Sequence, residues 1–444
     1  MFINQNLLVI SKFKVFASFV FIINLFLITI FMRSFVGIYI LGFRLGELYT
    51  GFCILIAFLL LSKKLTSKYD LQETIKILPV FRLMILSFFV VLLINLPSEF
   101  NLNLIKQSSF IWSVTFIFLG IYFLSIFSHN FIVILMGIGL LSSYFITFIN
   151  YPNFIMDFFM KYSDKFQFIK AADQLLILVI FNILFKKIKV SSTVKFCVFA
   201  FSSSIFLPYF ISQSRGSLLA TAVFIVLNSI SYYKFLTGNK LKSLFVILFS
   251  VILFYVSSYL LSDINFQDFE SEQNIISEVT TQIEDGILKQ KDLSQGFLTF
   301  YFEEGRIKSS DNTTDWRLDI WQDLIDDLIL KNKIYFGFGY EGIFEIMLDP
   351  SAPGRLGRDG LNENVHNYFF NILGRGGLFQ LSIFLYLYMK LYKTWTIRNN
   401  RIDYFALIVP LMIVSSLDVT MEGVQFPFIF YTFMGYFLSD GYHN

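Results

Sequence analysis

The chain has 444 residues, 56% of them hydrophobic and only 15% charged, with a mean hydropathy of +0.65, which excludes a soluble globular domain. The formal net charge of +3 hides a division, because residues 262–363 carry 21 Asp and Glu against 9 Lys and Arg. So acidic a stretch excludes nucleic acid as a partner, and the basic excess lies among the apolar segments.

Apolar runs of roughly 17–20 residues recur along the chain, each enough to cross a bilayer core of about 30 Å. In chain order they fall near 14–32, 47–62, 77–95, 109–126, 130–148, 169–185, 193–212, 217–232, 243–261, 377–393, 403–420 and 424–439. They predict an all-α polytopic membrane protein with about twelve transmembrane helices. No small-residue cleavage site follows the first run, so it is expected to stay as a helix.

Lysine and arginine in the short loops set the orientation. With the N-terminus inside, the inner segments carry Lys12 and Lys14, then Lys63, Lys64, Lys68 and Lys76, then Lys186, Lys187, Lys189 and Lys195. They continue with Lys234, Lys240 and Lys242, and end with Lys390, Lys393, Arg398 and Arg401. The short outer segments carry only Arg33, Arg44, Lys106, Lys161, Lys165, Lys170 and Arg215. Both termini are therefore expected in the cytoplasm, where anionic lipid attracts basic residues. Residues 1–261 form an N-terminal membrane region, 262–376 one large outer loop, and 377–444 a C-terminal membrane region. Cys53 and Cys197 lie inside predicted spans, so no disulfide framework is expected.

Within the outer loop, residues 262–312 carry no motif and are expected to be partly helical. Residues 315–330 read as a helix capped by Thr314 or Asp315, with Leu318, Ile320, Trp321, Leu324, Ile325 and Leu328 as its apolar stripe. Arg317 falls in that stripe, one turn before Trp321. A charge there is costly unless it meets an anion; the plainer alternative is snorkelling or pairing with a loop carboxylate. Gly337, Gly339 and Gly342 mark a tight turn. The glycine-rich piece 353–360, with Arg355 and Arg358, reads as a substrate-facing loop or, as the favoured reading, a solvated surface loop. Residues 364–373 read as a short amphipathic helix at the membrane surface, with His366, Phe369, Phe370 and Leu373 on one face. Gly374-Arg375-Gly376-Gly377 breaks it before the tenth span. Arg215, in Ser214-Arg215-Gly216, ends another span on the same expected side.

Two arginines and a histidine on one side suit an anionic substrate. His129, His366 and His443 show no metal-ligand spacing, and the chain has no Walker loop, dinucleotide fingerprint or nucleophile elbow. An enzyme facing outward has no nucleotide sugar or ATP, so its donor must already be energised, as a lipid-linked diphosphate is. Arginine's planar fork binds phosphate oxygens bidentately and would stabilise the charge of a departing diphosphate. An imidazole could orient or deprotonate an attacking hydroxyl. Glu363, one turn earlier, is a reserve base.

Ser214-Arg215-Gly216 at a span end, Arg317-x-x-x-Trp321 before a Gly-x-Gly turn, and His366-Asn367 with Gly374-x-x-Gly377 before the next span follow one another in the chain. This order resembles the O-antigen ligase and O-antigen polymerase superfamily. The resemblance covers roughly residues 195–440. It implies a membrane glycosyltransferase of the GT-C type in the bacterial cytoplasmic membrane. Such an enzyme transfers glycan from undecaprenyl diphosphate with no metal or cofactor. The resemblance assigns Arg215 and Arg317 to the diphosphate and His366 to the acceptor. Ile334 departs from the pattern, since many members carry proline before the turn. Trp321, Glu363, Asn367 and Arg375 are further candidates for substrate contact.

The expected partners are the lipid-linked glycan donor, a glycan or lipid A core acceptor, the bilayer and other polysaccharide-assembly membrane proteins. A polymerase and a ligase share the donor, so the motifs leave both open. Heavy use of Phe, Ile, Asn, Lys and Tyr suggests an AT-rich gene, as is common for polymerases, and favours that branch. A secondary transporter would also have many spans, but it should place charged or broken helices near the midplane. Arg82 is the main such residue and lies near a span end, where it can snorkel. A mannosyltransferase-like enzyme would be expected to carry an acidic pair in the first outer loop, where only Glu47 stands.

Overall fold

The computed structural model describes residues 12–61, 72–148, 152–262, 299–352, 354–356, 363–439 and 442. Its helices, in chain order, are α1 (Lys12–Val36), α2 (Leu45–Leu61), α3 (Gln72–Ile94), α4 (Leu102–Gln107), α5 (Ser109–Trp112), α6 (Phe116–Phe123) and α7 (His129–Phe148). They continue with α8 (Asn153–Tyr162), α9 (Ala171–Phe185), α10 (Ser192–Gln213), α11 (Arg215–Ser231), α12 (Tyr233–Gly238) and α13 (Lys240–Ser262). The last four are α14 (Asn312–Leu330), α15 (Tyr368–Trp395), α16 (Arg401–Leu417) and α17 (Gln425–Leu438). Two small antiparallel hairpins pair β1 (Tyr39–Ile40) with β2 (Phe43–Arg44) and β3 (Phe300–Glu303) with β4 (Arg306–Ser309).

Helical backbone occupies every stretch expected to span, because in lipid a helix satisfies its own N–H and C=O groups. Among the described residues, 7 helices are long and apolar enough to cross a membrane, and α2, α9 and α11 are shorter apolar helices. With 17 and 14 residues, α16 and α17 fall short of the roughly 20 that a straight span takes.

The chain forms two compact units. The first comprises Met1–Ile85, Ser109–Ile264 and Tyr386–Asn444. There α6 packs on α17 with backbones nearly touching. A Cβ at Gly120 would collide with the Thr432 carbonyl, and one at Gly435 with the Ile117 carbonyl. Small residues are what permit such an approach between apolar helices. In the same unit α11 packs on α16, with Gly216 against Leu417.

The second unit comprises Leu86–Ser108 and Asn265–Leu385. Its core is Ile320, Leu324 and Leu328 of α14 against Phe344, Met347, Val365 and Leu373. The four-residue spacing puts the three α14 side chains on one face.

Three sequence expectations meet the structure here. Within 262–312, expected to be partly helical, residues 300–309 form a hairpin: Phe-Tyr-Phe is strand-favouring, and Glu304 and Gly305, both at positive φ (50° and 79°), close a tight turn. Residues 263–298 lie outside the described part. Second, α14 starts earlier than expected, capped by Asp311, whose carboxylate accepts from the Thr314 N–H at 3.1 Å. Third, residues 364–367 are not helical. Asn367 Oδ1 accepts from the N–H groups of Phe369 (3.0 Å) and Phe370 (3.2 Å), so the helix begins at Tyr368. It breaks at Gly377 (φ 64°, ψ −169°), where a Cβ would collide with the Tyr335 carbonyl.

Candidate functional site

His366 sits immediately before the Asn367 cap, in left-handed backbone with φ +52°. That region costs a non-glycine residue about 1–2 kcal/mol, so its surroundings must impose it. Two tryptophans of α14 do much of this. The Trp316 ring meets the imidazole edge-on, with centroids 4.9 Å apart. Trp321 Nε1 donates to the Val365 carbonyl at 2.7 Å, and its ring stacks on Phe370 at 5.3 Å. Half-buried Arg317 follows Trp316 and shares a helix face with Trp321. The second unit thus places Arg317 on the helix turn that the histidine packs against. Arg215 opens α11 in the first unit, after Ser214, whose hydroxyl accepts from the Ser217 N–H at 3.2 Å.

The Gly-x-Gly turn lies along the backbone before the helix break. Phe338 N donates to Gly374 O at 2.8 Å and Gly339 N to Arg375 O at 2.9 Å. Gly337 and Gly339 have φ of 65° and 82°, and a Cβ on Gly337 would stand 2.5 Å from the Arg375 carbonyl. Glycine is required here by contact as well as by dihedral.

Four residues expected to contact substrate have partners within the protein. Asn367 caps α15, and Trp321 holds Val365. The Arg375 side chain is 0% exposed and lies 4.0 Å over the Phe344 ring. Its Nη1 donates to the Glu341 carbonyl at 3.4 Å and its Nη2 to Gln107 Oε1 at 2.9 Å. Glu363 accepts from Lys106 Nζ and from Gln107 Nε2, each at 2.7 Å.

The segment 86–108, read in sequence only as the end of a span and a short outer loop, braces this region repeatedly. Lys333 Nζ donates to Asn95 Oδ1 at 2.7 Å, and Asn95 Nδ2 to the Phe336 carbonyl at 3.3 Å. The Ser98 N–H donates to exposed Glu341 at 2.9 Å, and this bonding by Ser98 holds the Glu341 carboxyl below its ordinary pKa.

On the far side of α14 the acidic face is partly covered: Asp319 and Asp323 are half-buried, while Asp326 is exposed. Lys308 reaches Asp319 at 3.0 Å, and Arg306 bonds Asp323 and lies 3.5 Å from Asp326. Arg355, expected on a solvated loop, is buried; it bonds half-buried Asp323 and the Ile346 carbonyl (2.9 Å), which corrects that expectation. Burial pushes the Asp323 carboxyl up, but the bonds from Arg306 and Arg355 outweigh it and leave it below its ordinary pKa.

Comparison with known proteins adds one match. No curated protein matches the chain. Residues 198–385 match the model of a family described as O-antigen ligase. The matched region contains Arg215, Arg317, Trp321, Glu363, His366, Asn367 and Arg375. By this match, and by the order of its motifs, residues 198–385 are similar to the O-antigen ligase family.

Proposed function

We propose that the protein is a glycosyltransferase that moves glycan from an undecaprenyl-diphosphate-linked donor to a sugar hydroxyl, outside the cytoplasmic membrane. The observation that carries this is the α14 face that sets Arg317 beside the His366 turn through Trp316 and Trp321. Arg317 holds diphosphate oxygens, a role the resemblance gives to Arg215 as well, and His366 takes the proton of the attacking hydroxyl. The acceptor oxygen bonds to the anomeric carbon as the carbon–oxygen bond to the diphosphate breaks, and that electron pair leaves with the diphosphate. Arginine supplies the positive charge, so transfer proceeds in EDTA. An acceptor that is itself a lipid-linked glycan makes the protein a polymerase. Acceptance by lipid A core would make it a ligase, the activity in the matched family's description.

Single replacements test the donor site. Arg215→Ala and Arg317→Ala should each lose about 10²-fold or more of the transfer rate, the scale of losing one charge-stabilising donor. Lysine at either position should rescue poorly, because an ammonium cannot make the bidentate pair. Full activity in both alanine variants removes the proposed site.

A further inference from the structure

We infer that Gln107 is a positioning residue for glycosyl transfer: its one carboxamide ties the Glu363 carboxylate to the Arg375 guanidinium and so holds the His366 turn between them. The inference rests on the proposed role of His366.

Gln107 ends α4 and is 6% exposed. Its Oε1 accepts from Arg375 Nη2 at 2.9 Å, and its Nε2 donates to Glu363 Oε2 at 2.7 Å. The partners fix which end of the amide faces which. A guanidinium only donates and an ionised carboxylate only accepts, so the flipped amide would lose both bonds. No aliphatic side chain reproduces this, and a glutamate would set two carboxylates face to face.

The tie matters because of what lies inside it. Glu363 stands three residues before His366, and Arg375 lies between the glycines that precede the helix break. Within the interval His366 holds left-handed backbone, Val365 is fastened by Trp321 and Asn367 is spent on the cap. Lys106 holds the other oxygen of Glu363, so two adjacent residues of α4 grip one carboxylate. Losing the carboxamide leaves Arg375 buried with fewer acceptors and frees the entry to the histidine turn. A displacement of about 1 Å at a reacting group can cost 10²-fold.

The test uses the full-length protein, a synthetic undecaprenyl-diphosphate glycan as donor, and a count of donor-binding molecules so that rate is expressed per competent site. Gln107→Leu and Gln107→Glu should lower kcat about 10- to 100-fold, with donor affinity close to wild type. The double variant Gln107→Glu with Glu363→Gln rebuilds the tie with its polarity exchanged: the new carboxylate accepts from Arg375 and from the new carboxamide. It should recover most of the lost kcat. Wild-type kcat per competent site in the single variants overturns the inference, even if less protein folds. A double variant no better than the singles also overturns it. His366→Ala is run alongside. If it is fully active the proposed function itself fails, whereas an inactive His366→Ala beside a fully active Gln107→Leu removes only the positioning role.

Discussion

At residue scale, His366 combines a strained backbone with a proposed chemical role, and the two can be separated. Asparagine tolerates left-handed backbone better than most residues. His366→Asn should therefore fold in wild-type amounts and make no product, as measured by yield of monodisperse protein and by glycan formed. Loss of the fold would make the imidazole's packing on Trp316 its main contribution. His366→Gln keeps a hydrogen-bonding group but cannot take a proton near neutrality. If it stays active, His366 only orients the acceptor, and Glu363 becomes the base to test. Arg215 and Arg317 stand out in the sequence as charges at a span end and in an apolar stripe. Gln107 does not: its partners lie 256 and 268 residues away, and a lone amide in a short loop carries no pattern.

At the scale of elements, periodicity served well where a helix has one buried face. Ile320, Leu324 and Leu328 of α14 are buried as their spacing predicts. The opposite face carries Asp319 and Asp323, which pair with Lys308 and Arg306 of the β3–β4 hairpin, contacts that no periodicity could show. That attachment depends on ionised Asp323. Its carboxyl is held below the ordinary value, so the bonds from Arg306 and Arg355 persist at neutral pH. Their contribution is lost only as pH falls below the ordinary Asp range of about 3.9. Asp323→Asn should therefore speed amide hydrogen exchange in residues 300–309 at neutral pH, and unchanged exchange would show that the strands are held by other contacts. The break at Gly377 makes a second test. Alanine there meets both an unfavourable φ and the Tyr335 carbonyl, and should cost about 2 kcal/mol or more, seen as a fall in Tm in detergent.

For the whole molecule, hydropathy located the helices because an apolar run in lipid has little alternative to helix. It said nothing of the grouping of 86–108 with 265–385, which depends on side-chain bonds such as Asn95 with Lys333. Orientation rests on the lysine and arginine asymmetry. With Cys53 and Cys197 replaced, an impermeant thiol reagent should label Ser351→Cys on intact cells and Gly238→Cys only after permeabilisation; the reverse pattern would invert the topology. The central claim is transfer from a lipid diphosphate. It is tested most directly by placing purified protein in nanodiscs with a synthetic undecaprenyl-diphosphate glycan and an acceptor, in EDTA and without nucleotide sugar. The account predicts that wild type releases one undecaprenyl diphosphate for each glycan transferred, and that His366→Ala binds the donor yet releases none. No release by wild type, or equal release by His366→Ala, would contradict it.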